Sequence, residues 1–449
     1  MGLVFLGVIV AGILTLIAAA LLPQGRIDAN ILESAAVFEE EGSYPVIGDR
    51  EATSTLDNYT DALILEEAAV MQAGDMGTIF SNPVYVKDDP AAEFTQFAKE
   101  REGKEPELYY VRYWQGFRAP VRLLLTFLNF TQIRQVNSFV FFVLFAMAGL
   151  VIVMGETEGT GFLRFTASVK RKRPSPRFTS FPRFGAGILF ALSVIFVKPQ
   201  VICHSLQLSC CFILAFIFIL LVPWAKRKKI GPEFFLACGM ITQFFDFYTT
   251  PLVTLGYPMI FWLLLTDEEE SRGKAALKAA GAWLAGYGLM WIAKLALATV
   301  FTGVNGFADG FGSLANRTGI VKQEELVVYY NLGMMIRSLI GTCLENPFVS
   351  AAYLALIAVM AGRAVYAAVT ERRGGASGRS AVPALQWIWL LLPAVMVMIW
   401  YCLSVQPTCI HMIFQYRTTA VTLWSVLMWL SMSGYRRNRP SGTLKGNEA

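Results

Sequence analysis

Two carboxylates raise the first chemical question in this chain. Asp57 and Asp61 stand four positions apart in the stretch LDNYTDALIL, residues 56–65. On a helix that spacing brings both side chains to one face. Carboxylates so close repel unless a cation, a shared proton or a nearby arginine offsets the repulsion. Two roles suit them. Asp57 can cap a helix N-terminus, with Asp61 in the first turn where negative charge is favoured. The pair can also bind a divalent cation such as Mg or Mn, or supply a general base.

Other residues carry chemistry at the edges of apolar runs. Asp246, in FFDFYTTP (244–251), closes an apolar segment, where it either caps the break or faces a pocket. His411 and Arg417 lie in QPTCIHMIFQYR (406–417), and Arg337 lies in MMIRSL. These read either as basic side chains that reach for the membrane surface or as a cationic site for phosphate, which arginine grips with two parallel hydrogen bonds. Arg112, Trp114 and Arg118 fall in YYVRYWQGFR (109–118), the mixture found in aromatic belts and in contacts to sugars or lipid headgroups. NGFADGFG (305–312) holds too many glycines for a helix and reads as a loop that could carry Asn305 and Asp309 into a site. The seven cysteines show no CxxC spacing and read as small buried hydrophobes rather than as a zinc or redox site.

The elements that must position these residues are set by lipid. The chain has 449 residues, of which 55% are hydrophobic and only 16% charged, and its mean hydropathy is +0.50. That composition excludes an ordinary soluble protein. The expected architecture is all-α, a polytopic transmembrane helix bundle. Apolar runs suggest about ten spans: 3–22, then about 136–154, 184–198, 205–223, 232–247, 251–266, 280–301, 347–369, 385–405 and 412–432. The first run, in 1–22, lacks the basic start of a signal peptide and is read as an uncleaved helix.

Basic clusters decide orientation. KRKRPSPR (170–177), KRKK (226–229), ERR (371–373) and YRRNR (435–439) all fall on one side if the N-terminus is cytoplasmic. Short Lys/Arg-rich loops stay in the cytoplasm. The same placement argues against nucleic-acid binding. The chain then divides into a first helix (1–22), an acidic extracytoplasmic segment (23–135), a helix bundle (136–435) and a cytoplasmic tail (436–449). The acidic segment shows three helical patterns: LDNYTDALILEEAAVMQ, FTQFAKE, and an interfacial helix over 110–134. A second outer loop ends in EELVVYYNLGMMIRSLIG, which reads as amphipathic helix.

This layout, with carboxylates in a long outer loop after the first span, resembles the GT-C class of polytopic glycosyltransferases. LDNYTDALIL, YVRYWQGFRAPVRLLLTFLNFTQIRQVN and FFDFYTTPLVTLGYP also look like a group of uncharacterised bacterial integral membrane proteins. The GT-C resemblance implies a multi-pass protein of the cell membrane that takes a sugar from a polyprenyl-phosphate-linked donor. It implies a catalytic role for Asp57 or Asp61, and cationic residues on the departing phosphate. There is no clear DxD and no WWDYG-like string. The rival readings are a transporter or flippase, for which Lys294 within an apolar run would be the signal, and a non-catalytic assembly protein.

Overall fold

The computed structural model describes residues 1–48, 51–86, 88–101, 103–155, 180–266, 271–317, 320–323, 326–373 and 384–433. The clusters 170–177 and 435–439 and the tail 436–449 lie outside the described residues. Helix makes up 78% of the structure, so the class is all-α. Among the described residues five helices are long and apolar enough to cross a membrane: Gly2–Ala20, Phe130–Met154, Leu206–Lys228, Arg272–Thr302 and Pro347–Tyr366. Their outward faces carry bare Leu3, Phe139, Val300 and Leu354, which only a lipid solvent tolerates in such number. That is the signature of a multi-pass membrane protein.

The remaining apolar runs form shorter helices inside this set. Leu252–Leu264 is buried on every side, as a central helix must be when it is apolar all round. Gly231–Phe245 and Arg272–Thr302 approach through two glycines. A Cβ on Gly239 would stand 2.1 Å from the Trp283 carbonyl, and one on Gly286 2.1 Å from that of Leu236. Small residues that let backbones touch are the usual device for packing helices in lipid.

Residues 24–125 fold against the bundle around an apolar cluster of their own. Ile27, Ile31 and Phe38 of the helix Gln24–Glu41 meet Ile64 and Leu65 of Asn58–Ala69 and Phe94 of Phe94–Glu100. Phe38 stacks on Phe130, the first residue of the next long helix, with ring centroids 4.7 Å apart. Arg134, one turn further on, reaches back into this unit. Its guanidinium grips Glu41 through two 2.8 Å contacts and also donates to Asn58 Oδ1.

Several sequence expectations change. The helix Gln24–Glu41 was not anticipated. The expected interfacial helix 110–134 is instead an irregular turn that follows the strand Leu108–Tyr109 (paired with Pro83–Val84), then the short helix Arg118–Leu125 and the start of Phe130–Met154. Gln115 adopts φ +51°, which ends any helix there. Asn129 and Gln132 form a capping box that starts the long helix at 130 rather than 136. The glycine-rich stretch is helical over Gly306–Asn316, capped by Asn305. Its Gly306 and Gly310 lie against Leu295, where a side chain would not fit, so tertiary packing overrides glycine's poor propensity. The run read as one amphipathic helix after 324 is a strand, Leu326–Tyr329, paired with Ile320–Gln323, followed by Leu332–Cys343. Its Val-Val-Tyr sequence is β-forming. The run 412–432 starts as two short turns and becomes a regular helix only at Thr419–Ser433.

Because Arg134 is buried and holds both Glu41 and Asn58, Arg134→Met should cost about 1 to 3 kcal/mol, chiefly by leaving the buried Asn58 oxygen without its donor. Glu41→Leu combined with Arg134→Met should recover part of the loss. Thermal unfolding of the two purified variants reads this. A single variant as stable as wild type would mean that the ion pair does not hold the two units together.

Candidate functional site

Asp57 does cap the helix Asn58–Ala69. Its Oδ1 accepts from the Thr60 N–H at 3.1 Å and its Oδ2 from the Thr60 hydroxyl at 2.8 Å. Asp61 faces another element. Its two oxygens accept from Ser205 Oγ and from the N–H groups of Leu206 and Gln207, at 3.1 to 3.2 Å. It therefore caps the N-terminus of Leu206–Lys228, the job the sequence assigned only to its own helix. Burial pushes the Asp61 carboxyl up to about 7, against Arg134 and the Gln207 N–H, with Asp57 adding to the rise. Burial lifts Asp57 to about 6, against its bonds from Thr60 and the charge of Arg417.

These contacts bear on the metal. Asp61 accepts two bonds on Oδ1 and one on Oδ2, all from the start of Leu206–Lys228, so it is turned to that helix, whereas Asp57 is bonded within its own. Among the described residues no group of three or more His, Cys, Asp or Glu side chains is placed to hold a metal ion. Asp57 keeps a lone pair free on each oxygen, which leaves proton transfer as its open chemistry.

Arg417 comes to Asp57 from the far end of the chain. It is fully buried, donates to the carbonyls of Ile413 at 2.6 Å and Thr53 at 3.0 Å, and acts on the Asp57 carboxylate. Tyr44 closes the same corner, stacked between Tyr59 at 6.2 Å and Phe414 at 6.3 Å. His411 does not join it. The neighbouring charge that acts on His411 is Arg317.

A second group gathers around Tyr113. Arg317 donates to the Tyr113 hydroxyl at 2.9 Å, and the Arg112 guanidinium lies 5.0 Å from the ring centroid. Arg112 also pairs with Asp309 at 2.9 Å. Burial opposes ionisation of Tyr113, but Arg317 and Arg112 outweigh it and leave its pKa below the usual phenol value. Tyr248 packs on Tyr113 at 5.4 Å and lies under the Arg317 guanidinium at 4.7 Å. It holds φ +61°, a strained conformation for a tyrosine. Asp246 sits just behind. It accepts from Tyr287 Oη at 2.7 Å and from Cys211 Sγ at 3.4 Å.

Tyrosines line both groups. Tyr44 stacks on Tyr59, and the Tyr59 phenol acts on Tyr110. Tyr110 meets Tyr113 at 5.8 Å, and Tyr248 meets Tyr287 at 6.0 Å. So Asp57 and Arg417 lie beside Tyr44 and Tyr59, and Arg112 and Asp246 border a second run of tyrosines, Tyr110, Tyr113, Tyr248 and Tyr287, with His411 near Arg317. Arg337 is exposed on Leu332–Cys343, and Asn305 is a helix cap.

Sequence reasoning missed Arg317, Tyr113, Tyr248 and the buried carboxylates Glu66 and Glu67. The last two had a signal: paired acids inside the apolar run ALILEEAAV. Glu66 accepts from the N–H groups of Tyr85 and Val86. No donor lies within close hydrogen-bond distance of either Glu67 oxygen, although Arg118, Gln115 and Lys294 all act on it. Lys294 itself donates to the Phe80 carbonyl at 2.6 Å.

Comparison with known proteins gives no match: no family model, no curated protein and no solved structure aligns significantly with this chain.

Burial raises the Glu67 carboxyl from 4.5 to about 8, against Arg118. A group raised on folding stabilises most below its unfolded pKa, and that contribution fades as pH rises through the folded one. Stability should therefore fall between about pH 4.5 and 8, with Asp61 and Glu66 contributing alongside. Glu67→Gln removes one titrating group, so its melting temperature should drop less than that of wild type from pH 6 to pH 9. Parallel pH profiles for the two proteins would show that Glu67 is not held protonated.

Proposed function

We propose that the chain is an integral membrane glycosyltransferase of GT-C type. It has about ten spans, with both termini cytoplasmic. It transfers a sugar from a polyprenyl-phosphate donor to an acceptor hydroxyl on the extracytoplasmic side. The observation that carries this reading is Asp57: a buried carboxylate with a pKa of about 6, near the Arg417 charge and beside Tyr44 and Tyr59. A general base works best when its pKa lies near the working pH.

In this reading Asp57 takes the proton of the acceptor hydroxyl as that oxygen attacks the sugar carbon. Arg417, fixed by two backbone carbonyls, lowers the proton affinity of the carboxylate, whose position is held by Thr60. The tyrosine faces and hydroxyls suit a sugar, which offers both C–H surface and hydroxyl groups. The leaving lipid phosphate needs cations, and Arg112 and Arg317 beside Tyr113 are the candidates. The transporter alternative loses its main pointer. Lys294 is buried against the Phe80 carbonyl rather than free to face a pathway.

Asn caps a helix about as well as Asp, so Asp57→Asn separates the two roles of this residue. Turnover of a polyprenyl-phosphate sugar by the purified variant should fall at least about 10²-fold, with its melting temperature nearly unchanged. In wild type, kcat/KM should rise with pH and level off above about 6 as Asp57 ionises. Wild-type turnover by Asp57→Asn would reduce Asp57 to a cap, as a non-catalytic assembly protein requires.

A further inference from the structure

The segment that joins the spanning helices Arg272–Thr302 and Pro347–Tyr366 carries two short helices, and its two ends are tightly tethered. Three residues separate Thr302 from the helix Gly306–Asn316. Three more separate the helix Leu332–Cys343 from Pro347. Three residues reach at most about 11 Å, so one end of each short helix is held close to the membrane surface. Apolar side chains stay exposed through both junctions: Val300, Phe301 and Val304 at the first, Leu344, Phe348 and Val349 at the second. Lipid, the solvent of the spanning helices, therefore reaches both short helices.

Each short helix has three faces. In Gly306–Asn316, Gly306 and Gly310 press on Leu295 and Asp309 pairs with Arg112, which fixes the rotation of the helix. Phe307, Phe311 and Leu314 follow the i, i+4, i+7 spacing of one stripe and are all exposed. Gly312 and Asn316, also exposed, lie on the third face. In Leu332–Cys343, Met335 is fully buried, and Leu339 and Cys343 pack against the core. Leu332, Ile336 and Ile340 recur every four residues beside them and are exposed. Gly333, Arg337 and Gly341 form the remaining face. Water does not tolerate two such stripes of large apolar side chains side by side with bare spanning helices. A helix with one face on protein, one on lipid and one on water does carry such a stripe.

We propose that Gly306–Asn316 and Leu332–Cys343 are interfacial helices that sink their apolar stripes into the lipid leaflet on this side of the bilayer. Phe307, Phe311 and Leu314, and Leu332, Ile336 and Ile340, lie at the boundary between headgroups and acyl chains. Arg337, on the adjoining face, extends toward the headgroups. The partner is the bulk membrane lipid and not a substrate. A second protein chain would have to displace the lipid that already reaches both junctions. The anchored pair holds Asp309 and Arg317 against Arg112 and Tyr113. The inference needs only the spanning helices, and it stands whether or not the chain transfers a sugar.

The test reads the surroundings of each face, on the full chain in phospholipid liposomes. Nitroxide spin labels go on single introduced cysteines in a Cys402→Ser parent, because Cys402 is the native cysteine that stands exposed. Labelling of the parent itself gives the background. Phe311→Cys and Ile336→Cys put labels on the two stripes. Gly312→Cys and Gly341→Cys put them on the faces turned to water, where an added side chain meets open space. Phe139→Cys, on the exposed face of a spanning helix, is the lipid reference. Each label's accessibility to oxygen, which concentrates in lipid, is compared with its accessibility to a water-soluble nickel chelate. The Phe311 and Ile336 labels should favour oxygen, as the Phe139 label does, and the Gly312 and Gly341 labels should favour the chelate. Leu314→Cys and Ile340→Cys repeat the measurement on the same stripes, so that one misfolded variant does not decide it. Stripe labels that meet the chelate as freely as the Gly312 and Gly341 labels would put the stripes in water and overturn the proposal. Stripe labels reached by neither reagent would mean that protein covers them, and would overturn it as well.

Discussion

The unpaired peptide groups at the ends of apolar helices set the terms for this structure. A helix leaves its first N–H groups and last carbonyls without partners, and burying them unsatisfied costs stability. Here several helices end where residues 24–125 cover them, so water cannot satisfy those groups. Charged side chains do it instead. Asp61 accepts from the start of Leu206–Lys228. Arg122 donates to Ala19 at the end of the first helix and to Ala68 and Ala69 at the end of Asn58–Ala69. Arg118 and Lys294 take the carbonyls of Ile79 and Phe80 at the end of Met76–Ser81. Each contact is costly to break, because removing one partner strands the other in a dry place.

The same contacts position the candidate site. Asp57 stands one turn from Asp61, so seating Asp61 on the Leu206 helix also fixes where Asp57 points. Arg417 reaches Thr53, four residues before Asp57, and thereby joins the last part of the bundle to the first. Arg112 and Trp114 belong to one irregular stretch that leads into the helix starting at Arg118. It is held by the Trp114 N–H on the Met290 carbonyl at 2.7 Å and by Gly116, where a Cβ would collide with Phe244. A structure that buries its charges in order to close helix ends can also hold a carboxylate with a pKa near neutrality.

How much of this the sequence shows depends on the range of the interaction. The apolar runs follow from lipid as solvent, so most helix positions were legible, as was the cap at Asp57. Arg112 and Asp246 were legible as charges at the edges of apolar runs, though not their partners. What was hidden depends on contacts distant in sequence. Gly306–Asn316 looks like a loop until Leu295 supplies the surface its glycines fit. Asp61 looks like a first-turn residue until Leu206, 145 positions on, presents its N–H. Arg317 and Tyr248 carry no local mark, because their meaning comes from Tyr113, which lies more than a hundred positions away in sequence.

The central claim is that the segment after the first helix closes onto the second half of the chain and so brings Asp57 and Arg417 together. Beside the Arg417–Thr53 bond that carries this, Glu345 accepts from the backbone N–H groups of Ala52 and Thr53. The direct measurement is cross-linking of Ala52→Cys with Glu345→Cys in intact membranes by a short, membrane-impermeant bis-thiol reagent, with each single variant as the background. The account predicts rapid, high-yield intramolecular cross-linking from the outer side. A yield no greater than that of the single variants, with the protein still folded, would contradict it.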